Sequence, residues 1–292
     1  ANIDPPANRH PGPTGSPVNR RTVLRGLLGG GSVSLAGAAA NVGRATDDSG
    51  TPAASPATTL LPDTPHETGV YVASGPEPGP TVLVVGGIHG DERPGYRAAA
   101  RFVGVEPTAG TVVVVPRANR VAIEAGTRTG EHGDLNRKFP TGETPTTPLA
   151  RAIWKVVERH DPDVVIDLHR SVGLYAYHDA SVGQAVFPTD AADAPSVATD
   201  VVETLNEDVV PWSMPLHDFR RGNLLTGSDP MLVHKVAGDR SRPGYIVETT
   251  RFLVDTETQT EWATRAAVAL LSRHGVDYGS TSPIDSSGGW RW

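Results

Sequence analysis

His89 and Glu92 stand three residues apart, directly behind the aliphatic run Thr81 to Val85 and the pair Gly86-Gly87. A run of β-branched and aliphatic residues predicts a buried strand, and two glycines let the backbone turn sharply where that strand ends. An imidazole nitrogen and a carboxylate oxygen delivered together past a strand end can ligate one divalent metal. Zinc accepts both donor types in a catalytic site of three protein ligands. The spacing alone also arises between a solvated His and Glu, so the reading depends on a third ligand. Two later segments carry further chemistry, GDLNRKFP at 133–140 and VVIDLHRS at 164–171. His169 closes a second aliphatic strand, at the edge where open α/β sheets place their ligands, and is the third candidate. Asp167 shares its strand face and is placed as a support for the imidazole or for a nearby arginine, not as a ligand.

Asn136 and Arg137 offer a different chemistry. A guanidinium is a permanently charged planar fork that matches a carboxylate bidentately, and a neighbouring amide adds a donor, so the pair suits a substrate carboxylate. A loop arginine paired with Asp134 or Glu131 is the alternative for Arg137 and for Arg128, and Asp134 is expected to organise the loop.

Taken together, the segments at 81–92, 133–140 and 164–171 resemble the zinc carboxypeptidase superfamily and, within it, the succinylglutamate desuccinylase and aspartoacylase family of deacylases. The resemblance covers roughly residues 70 to 275. It implies one Zn2+ per chain on His89, Glu92 and His169. It also implies an arginine beside the metal, for which Arg128 is the candidate, able to polarise a scissile carbonyl and stabilise its oxyanion. Glu248, in GYIVETT, matches the family's glutamate at the end of a late buried strand and is the expected general base. The implied activity is hydrolysis of an amide bond in an N-acyl amino acid or a related small substrate. An exported metallocarboxypeptidase acting on peptide C-termini is the alternative, and a non-catalytic exported binding module a more remote one. The 77-residue interval from Glu92 to His169 is short for a digestive-type carboxypeptidase, and no tyrosine lies between Tyr177 and Tyr245 to cover a substrate. Both features favour a deacylase. The aspartoacylase branch carries a C-terminal β domain over its site, whereas the 44 residues after Glu248 are mostly one helix and a Ser/Gly tail, so the substrate of that branch is not carried over.

Composition narrows the remaining possibilities. The 292 residues contain no cysteine, which excludes disulfides and thiolate zinc sites and leaves His, Asp and Glu as strong metal ligands. The net charge is -7, and residues 1–44 hold five arginines against Asp4 alone, so the rest of the chain is more acidic still. Such a domain does not seek nucleic acid or anionic lipid. There is no G-x-S-x-G elbow for a serine hydrolase, no Walker loop and no G-x-G-x-x-G. Asn19 to Arg25, NRRTVLR, followed by the glycine-rich stretch 26–40, resembles a twin-arginine export signal. The expectation is a product exported by that route to the cell surface or medium, soluble and without stable membrane insertion.

These residues need a scaffold that brings strand ends together. Strands are predicted at 70–73, 81–86, 111–115, 163–168, 174–177 and 244–249. Helices are predicted at 94–104, 148–160, 195–207, 229–237 and 257–274, the last with Trp262, Ala266, Val268, Ala269 and Leu271 at near-helical spacing. Their alternation predicts an α/β fold, a doubly wound, mostly parallel sheet with helices on both faces, zinc carboxypeptidase-like. The expected division is a signal segment at 1–44, a flexible linker at 45–68, the catalytic domain at 69–279 and a flexible tail at 280–292. The remaining histidines are expected in solvated or core positions, with His132 and His217 the two to seek near the site.

Overall fold

The computed structural model describes residues 54–178, 181–227, 229–279 and Ile284. The chain divides into the units Ala1–Ala40 and Asn41–Trp292, and all described residues belong to the second. The expected signal segment at 1–44 lies outside them, as do residues 45–53 of the expected linker and all of the expected tail but Ile284.

Among the described residues eight strands form one sheet: β1 (Thr58–Leu60), β2 (Thr68–Ser74), β3 (Glu77–Gly86), β4 (Ala109–Val115), β5 (Val164–Ser171), β6 (Ala185–Pro188), β7 (Arg220–Arg221) and β8 (Gly244–Thr250). Their spatial order is β1-β2-β4-β3-β5-β8-β6-β7. The central four, β4-β3-β5-β8, are mutually parallel, while β1, β2 and β6 join antiparallel at the flanks and β7 runs parallel to β6. The helices are α1 (Arg93–Arg101), α2 (Arg120–Ala125), α3 (Pro148–His160), α4 (Ala194–Asp208), α5 (Leu232–Arg240) and α6 (Thr256–Arg273).

The continuous apolar character of the central strands follows from burial on both faces. Val82, Val84, Val112, Val114, Ile166 and Leu168 point into a core shared with α1, α4 and α6. Leu83, Val85, Val113, Val115 and Val165 point to the opposite face, into a core shared with α3 and α5. Each fully buried side chain of this size contributes roughly 1.5–3 kcal/mol, so a one-residue slip in register would be resisted by all four strands at once. Trp262, Ala266 and Leu271 of α6 are buried as its spacing requires. The doubly wound arrangement and its two helical layers are as expected.

The winding decides where a site can form. From β3 the chain crosses through α1 to β4 on one side, then returns through α3 to β5 on the other side of β3. The C-terminal ends of β3 and β5 therefore flank the point where the winding reverses, where open α/β sheets hold ligands.

Several expectations are corrected. Leu174 to Tyr177 is a turn, with Ala176 at φ 56 and Tyr177 exposed, because β6 at 185–188 takes the sheet position beside β8. β6 and β7 were invisible as strands, being short and lacking alternation. The folded domain begins before residue 69: β1 lies inside the expected linker and pairs with β2. Ile284 is buried in the core with Val276 and Tyr278, inside the expected tail. α5 begins three residues later than predicted, at Leu232. Among the described residues no helix is long and apolar enough to cross a membrane.

Candidate metal centre

The turn after β3 is built for close approach. Gly87 sits at φ 76, in the left-handed region that favours glycine, and reverses the chain ahead of His89. Gly95, in the first turn of α1, packs so tightly on β5 that a Cβ there would lie 2.2 Å from the Leu168 carbonyl oxygen. Any larger residue would push α1, and with it Glu92, away from His169. Glu92 is the residue preceding the helix, yet its side chain makes no capping hydrogen bond. Its carboxylate is turned to the site instead.

There His89, Glu92 and His169 converge, all three buried. His89 Nδ1 is 3.0 Å from Glu92 Oε1 and 3.1 Å from His169 Nδ1, and His169 Nδ1 is 2.8 Å from Glu92 Oε2. The opposite nitrogens face carboxylates. His89 Nε2 lies 2.9 Å from Asp134 Oδ1, and His169 Nε2 lies 2.9 Å from Asp167 Oδ2, close but poorly aligned for a hydrogen bond. Carboxylates thus stand behind both Nε2 atoms, while both Nδ1 atoms converge on Glu92. Two ring nitrogens 3.1 Å apart beside a carboxylate require a proton or a cation between them, and one metal ion can meet all three atoms at once. A tetrahedral ion with bonds near 2.0–2.1 Å separates its ligands by about 3.3 Å, close to the separations found. The donor set of two imidazoles and a carboxylate thus fits zinc.

The electrostatics agree. Burial opposes a proton on either ring, but Asp134 and Glu92 around His89, and Asp167 and Glu92 around His169, override it and raise both imidazoles. Burial would also raise Glu92, yet the two imidazoles hold it below the usual carboxylate range. The hydrogen bond with His89 draws Asp134 down to about 2. The pocket is therefore strongly polarised toward a positive guest.

Glu248 lies on β8 directly opposite His169 on β5 and shares its face. Its Oε2 is buried without a hydrogen-bond partner. Burial pushes this carboxyl up to about 8, against the pull of the His169 imidazole and with the help of the Glu92 charge. A cation on the three ligands would draw it back down. Arg128 reaches the site from the loop before the 3-10 turn Leu135–Arg137, its Nη1 donating to Glu92 Oε1 at 2.6 Å, while its side chain stays 54% exposed. That leaves donors for a bound group.

Asn136 and Arg137 stand in different surroundings. Asn136 is buried, its Oδ1 accepting the Leu232 N–H at the start of α5 (3.0 Å) and its Nδ2 donating to Asp167 (3.4 Å). Most of its amide is thus committed to holding Asp167 and α5. Arg137 donates to the Asn136 carbonyl oxygen (2.8 Å) and is otherwise exposed. Asp134 organises the loop by accepting the Asn136 N–H (2.9 Å), as expected, but it also faces His89. One contributor was missed. The Arg170 N–H donates to Glu92 Oε2 (3.1 Å) and its guanidinium to the Asp91 carbonyl oxygen (3.1 Å), tying the ligand-bearing turn to β5. Its place beside His169 in VVIDLHRS was the available signal. His217 is a core histidine, bonded to the Phe252 carbonyl oxygen (2.8 Å) and packed near Trp262.

One consequence can be measured directly. Asp167→Asn keeps the side-chain shape but removes the charge facing His169, and if the three residues hold zinc its affinity should fall ten- to a hundredfold, as for other partners behind a metal-bound imidazole. Competition against a fluorescent chelator reads this, and an unchanged affinity would remove Asp167 from the site.

The chain is similar to several known proteins. Residues 78–181 match the family described as the succinylglutamate desuccinylase/aspartoacylase catalytic domain. Over 98 residues the chain is 39% identical to the N-alpha-acetyl-L-2,4-diaminobutyric acid deacetylase of Halomonas elongata, a stretch that is 31% of this chain and 28% of that one. The product-bound cell shape determinant protein Csd4 of Helicobacter pylori superposes with a TM-score of 0.62 at 22% identity, over 72% of this chain and 55% of that one. The mDAP-bound form of Csd4, described as a D,L-carboxypeptidase, superposes with a TM-score of 0.55 at 21% identity, over 70% and 54% of the two chains. The chain thus matches under a third of the deacetylase and just over half of Csd4. The family match, the deacetylase relative and the shared fold together support the superfamily expected from the sequence.

Proposed function

We propose that this domain is a zinc-dependent hydrolase that cleaves the amide bond of an N-acyl amino acid or a related small substrate. The observation that carries the reading is the convergence of His89, Glu92 and His169, each imidazole backed by a carboxylate, beside the unpartnered buried carboxyl of Glu248. A zinc ion on these ligands would supply a Lewis acid that polarises a carbonyl and lowers the pKa of water toward about 7. Glu248 takes the proton from the attacking water and returns it to the leaving amine, since its Oε2 is buried without a partner and it stands beside His169 on the neighbouring strand. Arg128, whose guanidinium already reaches the Glu92 carboxylate, supplies charge to the developing oxyanion. Arg137 holds the substrate's carboxylate, with the remaining Asn136 N–H as a helper.

The two arginines should separate by substrate. Arg137→Ala should lower kcat/KM mainly for substrates with a free carboxylate, whereas Arg128→Ala should lower kcat for neutral analogues as well, because its partner forms in every turnover. Comparing an N-acyl amino acid with its amide analogue in each variant reads the difference, and identical profiles would reject these roles.

Cleavage at a peptide C-terminus is the second reading, supported by the likeness in fold to Csd4, which is described with a tripeptide and with mDAP bound. Screening the zinc-loaded protein on N-acyl amino acids and on short peptides discriminates the two. Turnover of peptides alone would reject the deacylase reading, and turnover of neither would reject both.

A further inference from the structure

Among the described residues a second group of metal-competent side chains lies apart from the central one: His66, Glu131 and His132, whose donor atoms all fall within 4.8 Å of one another. His66 comes from the connection between β1 and β2. Glu131 and His132 are the middle residues of a tight turn closed by the Gly133 N–H on the Gly130 carbonyl oxygen (3.1 Å), with Gly133 at φ 77. Such a turn projects its two middle side chains together.

Glu131 Oε1 lies 2.9 Å from His66 Nε2 and 3.4 Å from His132 Nε2. The two rings are nearly parallel, 19° apart with centroids 6.0 Å from each other. The donor set repeats that of the central site, a carboxylate between two imidazoles. His66 is mostly buried, its side chain 14% exposed, and its Nδ1 has no hydrogen-bond partner to fix the tautomer. An imidazole nitrogen this close to a carboxylate oxygen requires a proton or a cation between them.

We propose that His66, Glu131 and His132 bind a second divalent transition metal of the zinc class, and that this ion clasps the 128–134 loop to the β1–β2 connection. Both ends of that loop are already fastened to the central site. Gly90 N–H donates to the Arg128 carbonyl oxygen (3.4 Å), Arg128 reaches Glu92, and Asp134 faces His89. The second ion adds a fastening at the tip and so stiffens the segment that carries Arg128. Imidazole and carboxylate donors suit Zn2+, Cu2+ or Ni2+ and not Mg2+ or Ca2+. Binding is weaker than at the central site, because two ligands are exposed and the Lys138 ammonium lines the same recess.

The test is a calorimetric titration with Zn2+ of protein already holding one equivalent. Parent protein takes up a second, weaker equivalent. His132→Ala and His66→Gln each raise the dissociation constant of that step more than about tenfold, since losing a ligand costs at least as much as losing a partner behind one, while the first equivalent is untouched. Trypsin cleavage after Arg128 slows as the second equivalent binds in the parent but not in His132→Ala. A parent protein that stops at one equivalent, or a second equivalent that neither substitution weakens, overturns the proposal. Because His132 is exposed, its variant stays informative even if His66→Gln folds poorly.

Discussion

Glu248→Gln protein should keep its zinc and lose turnover by on the order of a hundredfold or more. The substitution preserves shape and removes the basic oxygen, and Glu248 faces the ligand group from the neighbouring strand without belonging to it. Metal content and fold should therefore match the parent while kcat collapses. The pH profile sharpens the test. Burial pushes the Glu248 carboxyl up to about 8 before any cation is bound, and a divalent cation pulls it down. The acidic limb of kcat/KM in the zinc-loaded parent should thus fall well below that value, and the residual activity of Glu248→Gln should lack the limb. Near-parental turnover in the variant would mean that another group moves the proton.

The second large effect is expected at His89. His89→Ala leaves Glu92 and His169 as a two-ligand remnant, so protein dialysed against a weak chelator should hold no stoichiometric zinc and show no turnover above background. Elemental analysis checks the first point, and stoichiometric zinc in the variant would overturn the ligand assignment. In the parent, zinc and protons compete for the same Nδ1 positions, so occupancy should fall as pH falls. Both imidazoles sit above their ordinary value in the metal-free site, held there by Glu92, Asp134 and Asp167. Release should accordingly begin at a higher pH than it would for isolated histidines.

These expectations rest on different levels of information. The central strands were legible because burial on both faces demands nearly continuous apolar and β-branched runs, and Thr81 to Val85, Thr111 to Val115 and Val164 to Leu168 supply them, with Asp167 the one charged residue among them. His89, Glu92 and His169 were legible for the same reason, each standing at a predictable distance past the end of such a run. Parallel winding then brings strand ends to one edge.

The polar partners were less so. The sequence suggested a carboxylate at Asp167 as a support, but nothing in it places Asp134 against His89 across 45 residues. Nor does it show that Asn136 would be turned inward to accept the Leu232 N–H. Those pairings depend on how a long irregular loop folds over the sheet edge, and loops carry no periodicity to read. β6 and β7 escaped notice because strands of four and two residues are held by neighbours and not by local preference. His66 looked like any solvated histidine until the tertiary structure laid the Gly130–Gly133 turn against it. The sequence by itself determined the four central strands and set His89, Glu92 and His169 beyond or at their ends, because both follow from short-range pattern. The carboxylates behind the imidazoles and the second His/Glu/His group were decided by tertiary packing, because their contacts join segments whose separation no local pattern records.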